Sequence, residues 1–348
     1  MQIPTEPIGS IPRPPYLLDA MNGAASGELQ AATDRALRET IDLFEATGSP
    51  VISDGEQSKP SFATYPVHGC VNIEPGGVII PFADGHTRQL PRLTAGPFRY
   101  ATYASSYVKA AKALTNTPIK QAVISASALS LLYPQEGIKS YSQEQFVEDL
   151  ISEAEKDIRG CLEAGAANVQ IDFTEGRLAI KLDPSLKLLE QFIQLNNLVL
   201  ERFSEAERLR IGVHSCPGGD HDSTHSADVE YDDLLPRLFQ LKAANFYIQL
   251  ASERNTRRVL GLVRANLGSK RRIFVGVTDP IHSRLETADE VCARVLEAAE
   301  FIPLPQLATT DDCGFSPFGD DVSTSRELAF QKIRARVSGT ALASERFQ

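Results

Sequence analysis

Three side chains in this sequence have the chemistry of a metal site: His214 and Cys216, two residues apart, and Cys313 far downstream. Each follows a short apolar run that reads as a β-strand, Arg210-Ile-Gly-Val213 for the first two and Leu304-Pro-Gln-Leu-Ala308 for the third. Imidazole and thiolate are soft nitrogen and sulfur donors that suit Zn²⁺. Three such ligands leave a fourth position exchangeable, which is the arrangement of a catalytic rather than a structural ion. A substrate thiol entering that position would ionise to the thiolate, so the expected chemistry is activation of sulfur.

Other candidates lie past neighbouring runs. Glu56, Asp172 and Asp279 are carboxylates suited to anchoring a substrate amino group or taking up a proton, with structural hydrogen bonding as the alternative. The run 218–228 carries His221 and His225 and reads as a Gly-led polar loop over the site, its histidines touching substrate or a neighbouring loop, rather than as a second ion site. His68 and His86 read as surface or hairpin residues. The five cysteines are odd in number and scattered, which is not a disulfide framework. Cys161 and Cys292 fall in helical patterns and read as small buried hydrophobes, and Cys70 is read the same way.

The positioning elements follow from periodicity. Strands are expected near Glu6–Gly9, Val51–Ser53, Ala122–Ser125, Asn168–Ile171, Arg210–Val213, Phe246–Leu250, Ile273–Val277 and Leu304–Ala308. Helical patterns alternate with them over Glu28–Thr47, Ala101–Leu114, Gln143–Gly165, Asp183–Ser204, Tyr231–Ala243, Asn255–Leu267, Thr287–Phe301 and Ser323–Val337. Ser142 with Gln145 and Thr287 with Glu290 form capping boxes, and Asp183-Pro184 supplies a capping carboxylate. This alternation predicts an α/β fold, a (β/α)8 TIM barrel occupying 1–348 as one domain. No Gly-x-Gly-x-x-Gly follows the first strand, which removes the main support for a dinucleotide-binding sheet. Residues 67–100 break the rhythm with Gly76-Gly77 and Val78-Ile-Ile-Pro-Phe82, and read as a β-hairpin insertion after strand two, serving as a lid or as a passive or dimer-forming element. In such a barrel the chemistry gathers at the C-terminal strand ends, where His214, Cys216 and Cys313 fall.

Composition narrows the function classes. The 348 residues are 42% hydrophobic and 23% charged, with a formal net charge of -10. That charge disfavours a nucleic-acid or anionic-membrane surface. No apolar run reaches the length of a membrane span, and the N-terminal residues lack a signal-peptide layout, so a cytoplasmic protein is expected.

Together, His214-Ser-Cys216, Phe246–Leu250, Gly276-Val-Thr-Asp-Pro-Ile-His282-Ser and Asp311-Asp-Cys313-Gly resemble the ordered motifs of the catalytic domain of cobalamin-independent methionine synthase. Ile8-Gly-Ser10, Asp54-Gly-Glu56 and Gln170-Ile-Asp172 are similar to that domain's earlier motifs, and the resemblance spans essentially the whole chain. It implies a (β/α)8 barrel and a zinc ion held by His214, Cys216 and Cys313. It also implies a substrate thiol held by Ser10, Glu56 and Asp172, and proton transfer assisted by His282 with Asp279. The resembled family's fourth ligand is a glutamate where this chain has Gln249; an amide oxygen coordinates with one negative charge fewer, and Glu253 is the alternative ligand. Further departures are Pro280, an extra residue before His282; Asp172-Phe-Thr-Glu-Gly in place of Asp-Glu-Pro; and Ser125-Ala-Ser127 in place of a Gly-Pro turn near the methyl-donor pocket. The long synthase's N-terminal barrel, which helps grip polyglutamyl folate, has no counterpart in this sequence.

The leading expectation is a zinc-dependent thiol methyltransferase that makes a thioether. Its partners would be a small-molecule thiol and a methyl or alkyl donor, with folate or a corrinoid protein as candidate donors and a homo-oligomer as a candidate assembly. The alternatives are a zinc enzyme forming or cleaving another C–S bond, as epoxide:coenzyme M transferases do, and a catalytically silent small-molecule-binding barrel.

Overall fold

The computed structural model describes residues 2–23 and 25–348. Six parallel strands form a continuous sheet in chain order: Lys120–Ile124, Asn168–Asp172, Ile211–Ser215, Asn245–Ile248, Arg272–Gly276 and Leu307–Thr310. Two short N-terminal segments close it into a (β/α)8 barrel. Thr5 bridges in parallel to Thr309 at one edge and Ile52 to Ile119 at the other. The two segments meet where Ser53 Oγ donates to the Gly9 carbonyl at 2.6 Å and Ile11 N donates to the Gly55 carbonyl at 3.0 Å. The expected first two strands are therefore reduced to single bridges. Pro4 and Pro7 have no N–H to donate, and Gly55 turns left-handed at φ 66 just after Ser53.

The eighth strand starts later than its apolar run suggested. Leu304–Gln306 is a 3₁₀ turn held by Pro303 and Pro305, and the strand begins at Leu307. Among the helices, both expected capping boxes form. Four short helices among the described residues, Pro15–Met21, Ala126–Ser130, Glu175–Leu182 and Glu205–Arg208, lie outside the expected patterns. The pattern from Asp183 to Ser204 is a helix only over Lys187–Leu200. Asp183 still caps it, its carboxylate accepting from the Leu188 N–H at 3.0 Å, but Leu186 first adopts a left-handed conformation with φ 67. The last helix runs Arg326–Glu345, beyond the expected end. No helix among the described residues is long and apolar enough to cross a membrane.

Strand alternation decides what faces the barrel interior. In Ile211–Ser215, Ile211 and Val213 join the main core between sheet and helices, so Gly212, His214 and then Cys216 face inward. Likewise Phe246 and Ile248 face outward, while Tyr247 packs with Ile8, Phe274 and Ala308 in the barrel's own core. Lys120 is buried in that interior, its ammonium 4.0 Å from the centre of the Tyr247 ring and 2.7 Å from Gln170 Oε1. Tyr247 in turn donates to Glu6 Oε2 at 2.7 Å.

The segment after the second strand folds as a nested hairpin, with Ile79–Pro81 paired to Thr87–Gln89 and Ile73–Glu74 to Arg92–Leu93, both antiparallel. It lies over the C-terminal strand ends. Ala83 N donates to the Thr224 carbonyl at 3.0 Å, and Arg88 forks between Asp220 and Asp320.

Candidate functional site

Adjacent strands bring the metal-type ligands together by register. His214 pairs with Asp172 on one side and Tyr247 on the other, and Ile248 pairs with Ser215, which places Gln249 beside Cys216. Cys313 arrives in the loop after the eighth strand. A nitrogen of His214 and the sulfurs of Cys216 and Cys313 lie within 4.8 Å of one another, all three residues buried, and the two sulfurs are 3.1 Å apart. The two sulfurs are within hydrogen-bond reach of each other, either one able to donate. Cys216, hydrogen-bonded to Cys313 and buried, is pushed well above the ordinary thiol range, while the same bond and the nearby His214 draw Cys313 well below it.

These residues fit a metal ion. Both ring nitrogens of His214 and Oε1 of Gln249 are buried without a hydrogen-bond partner, although burying a polar atom unpaired costs about 1–3 kcal/mol. Gln249 spends its Nε2–H on Ser252 Oγ, leaving the carbonyl oxygen free. Glu253 is engaged elsewhere, in an ion pair with the buried Arg177, whose guanidinium lies 3.9 Å over the Tyr231 ring. A soft N/S set with an amide oxygen is a chemically sound cradle for Zn²⁺.

The strand end carrying Gln249 is fixed from the eighth strand. Asp312 accepts the backbone N–H groups of Leu250, Ala251 and Ser252, each at 2.8 Å, and the Ser252 hydroxyl at 2.6 Å. Gly276 makes room for it: a Cβ there would stand 1.9 Å from Asp312 Oδ1.

His214 and Cys313 open onto a cavity of about 420 Å³ at the barrel mouth, which Ser10, Glu56 and Asp172 also line. Ser10 is buried and its Oγ accepts from Ser316 N at 3.2 Å. Glu56 sits at φ 57 and is paired at 2.8 Å with buried Lys59; burial opposes the lysine's charge, but Glu56 and Asp54 outweigh it and hold its pKa above the ordinary value. Burial pushes Asp172 to about 6, offset in part by His214. Asp279 and His282 are not among the cavity-lining residues. Asp279 accepts the N–H groups of Ile281 and His282, and the His282 side chain is exposed.

The loop 218–228 divides its histidines. His225 lines the cavity and is held neutral, burial and then Lys181 and Arg177 lowering it to about 4. His221 stands with Asp220 and Asp321 in a second group of metal-type side chains, but Arg88 already occupies Asp220 and contacts His221 Nε2. His86, expected as a hairpin residue, is one, bonded to Asp84 and Asp220.

Sequence reasoning gave no role to Glu175, which lines the same cavity. Ser125 and Ser127 hydroxyls donate to its Oε1, Oε2 has no partner, and burial raises it to about 7. The signal was present in the two departures already noted, Asp172-Phe-Thr-Glu-Gly and Ser125-Ala-Ser127, which meet here. The hairpin read as a candidate lid contributes Phe82 to the cavity lining, while Phe62, Phe318 and Leu18 and Met21 of the first helix, which also line it, were missed.

Comparisons with known proteins bear on the family and the fold. The family model described as "Cobalamin-independent synthase, Catalytic domain" matches residues 3–329. A methionine synthase of Saccharolobus solfataricus is 20% identical over 351 residues, covering 99% of this chain and 95% of that protein. One from Sulfurisphaera tokodaii is 22% identical, covering 99% and 93%. The solved structure of a B12-independent methionine synthase from a Shewanella species, in complex with selenomethionine, superposes with TM-score 0.81 at 19% identity, covering 100% of this chain and 99% of that one.

Proposed function

The chain belongs to the cobalamin-independent synthase family, through its catalytic domain, and from that premise we propose that it is a zinc-dependent thiol methyltransferase. The observation that carries this reading is the buried group of His214, Cys216 and Cys313, with the unpartnered Gln249 oxygen beside it and a cavity in front. His214, Cys216, Cys313 and Gln249 would hold the ion, which when bound supplies a Lewis acid that lowers the pKa of an incoming thiol.

The chain's own residues do the rest. Glu56 and Asp172 receive the ammonium of an amino-acid thiol such as homocysteine, and the Ser10 hydroxyl orients its carboxylate. Together they place the sulfur in front of His214 and Cys313 and align it for in-line attack on a methyl carbon. The roof of Phe62, Phe82 and Phe318 excludes water that would solvate and blunt the thiolate.

Metal analysis of protein purified without chelator should find stoichiometric zinc. X-ray absorption at the zinc edge should then gain a sulfur ligand when homocysteine is added. Trace zinc with no gain on reconstitution would overturn the reading, as would an edge spectrum unmoved by every thiol tried. Gln249→Glu should tighten zinc binding, since it restores a negative charge to the donor set.

A further inference from the structure

The donor half of the cavity has a charge pattern that the thiol half does not explain. Four carboxylates line the cavity, Glu56, Asp172, Glu175 and Asp320, against a single cationic side chain, Arg88. Arg88 is fully engaged, its Nη1 and Nη2 each 2.9 Å from Asp320 and its Nε and Nη2 on Asp220. Glu56 is paired through Oε1 with Lys59 and, with Asp172, belongs to the thiol half of the site. Asp172 and Glu175 are left without a cationic partner. Asp172 is used by the thiol substrate's ammonium, so Glu175 remains, with Oε2 buried and unbonded, in a cavity that aromatic and aliphatic side chains also line.

We propose that the alkyl donor is a methylated onium cation, a sulfonium or quaternary ammonium, held with Glu175 as its counter-charge and aromatic side chains as its walls. This deepens the thiol-methyltransferase reading and rests on it. A methylated onium has no N–H to donate, so it needs a negative charge nearby and apolar or π-rich surface around it. Glu175, Phe62, Phe82 and Leu178 supply both, while neutral His225 adds no competing positive charge. A donor with an anionic tail would need free Lys or Arg, and among the described cavity-lining residues the only such side chain is already paired twice.

The bond changes balance without further reagents. A lone pair of the thiolate sulfur forms the new S–CH₃ bond, and the C–S⁺ or C–N⁺ bond breaks with its electron pair passing to the departing heteroatom. Thiolate and onium charges cancel, and a neutral sulfide or amine leaves. No proton has to reach the leaving group, which agrees with His282 lying exposed, outside the cavity lining.

The test is calorimetric titration of the zinc-loaded protein, with and without homocysteine, using trimethylsulfonium and tetramethylammonium, which carry no anionic group, with triglutamyl 5-methyltetrahydrofolate as the anionic comparator. Thioether formation is followed by mass spectrometry. The sulfonium and ammonium arms identify which onium is preferred. At least one onium should bind and donate methyl, Glu175→Gln should weaken its binding about 10-fold or more, and Glu175→Asp should retain most of it. A thermal melt shows that both variants fold. Absence of onium binding, equal affinity in Glu175→Gln, or faster transfer from the folate would each overturn the proposal. Zinc-edge spectra separate the two levels: a sulfur ligand gained from homocysteine with no onium bound defeats this proposal alone, whereas no sulfur gained defeats the broader reading.

Discussion

Replacing Glu175 with glutamine should make the protein more stable at alkaline pH, and the size of the gain follows from where the carboxyl sits. The group is buried, with two serine donors on one oxygen and none on the other, and its pKa rises from 4.5 to about 7. At about 1.4 kcal/mol for each tenfold change in proton affinity, ionising it in the folded protein costs about 3 kcal/mol more than in the unfolded chain. The unfolded chain loses this proton near 4.5 and the folded one near 7, so between those values the folded state holds more protons. Stability therefore falls as pH rises through that window and levels off above it. Glutamine keeps an acceptor for the two serines and has no proton to lose. Urea unfolding of both proteins at about pH 5 and about pH 8.5 should show the variant gaining about 2–3 kcal/mol relative to wild type between the two conditions, with all other titrating groups cancelling. A stability difference that stays within about 0.5 kcal/mol across the range would refute the argument, because the carboxyl would then not be retaining its proton on folding.

Gly276→Ala should cost about 2–4 kcal/mol in urea unfolding, because its methyl would displace the Asp312 carboxylate from the three N–H groups it collects. Tyr247→Phe should cost about 1–2 kcal/mol in the same assay by leaving a Glu6 oxygen without its buried donor. Arg88→Ala should speed amide exchange of residues 79–89 and 218–225 about 10-fold, read by mass spectrometry, with the barrel strands unchanged. Cys313→Ser should abolish stoichiometric zinc while leaving the far-ultraviolet circular dichroism of the barrel intact.

The barrel was legible because alternation and helical spacing are local. Ile211, Val213 and His214 report their faces within five residues, and the capping boxes at Ser142 and Thr287 announce their helices in four. The metal-type ligands were legible for the same reason, since sulfur and imidazole past a strand end stand out from ordinary loop chemistry. Three-dimensional convergence was harder to read. Glu175 acquires its environment from Ser125 and Ser127 past the end of the adjacent strand, about fifty residues away in sequence. The prolines that shortened the first and last strands were visible, but apolar content outweighed them. His282 fitted a sequence motif, and the exposed position of its side chain depends on how the loop from Asp279 turns back on itself.

The roof of the site and its floor are built from different kinds of structure. The metal-type ligands stand on barrel strands or directly past their ends, where hydrogen-bonded neighbours constrain each position, while Ile80, Phe82 and Leu90 come from a hairpin whose strands pair only with each other. Its tip is tied to the barrel by side-chain forks and a few loop hydrogen bonds, whereas Leu93, Phe98 and Tyr100 at its base are buried in the main core. The molecule thus separates into a fixed reaction chamber and an exchangeable cover. Grafting the hairpin tip, residues 78–90, between barrels of this kind, with Asp220 and Asp320 kept as its docking points, is a direct route to changing which electrophile is admitted without disturbing how the nucleophile is prepared.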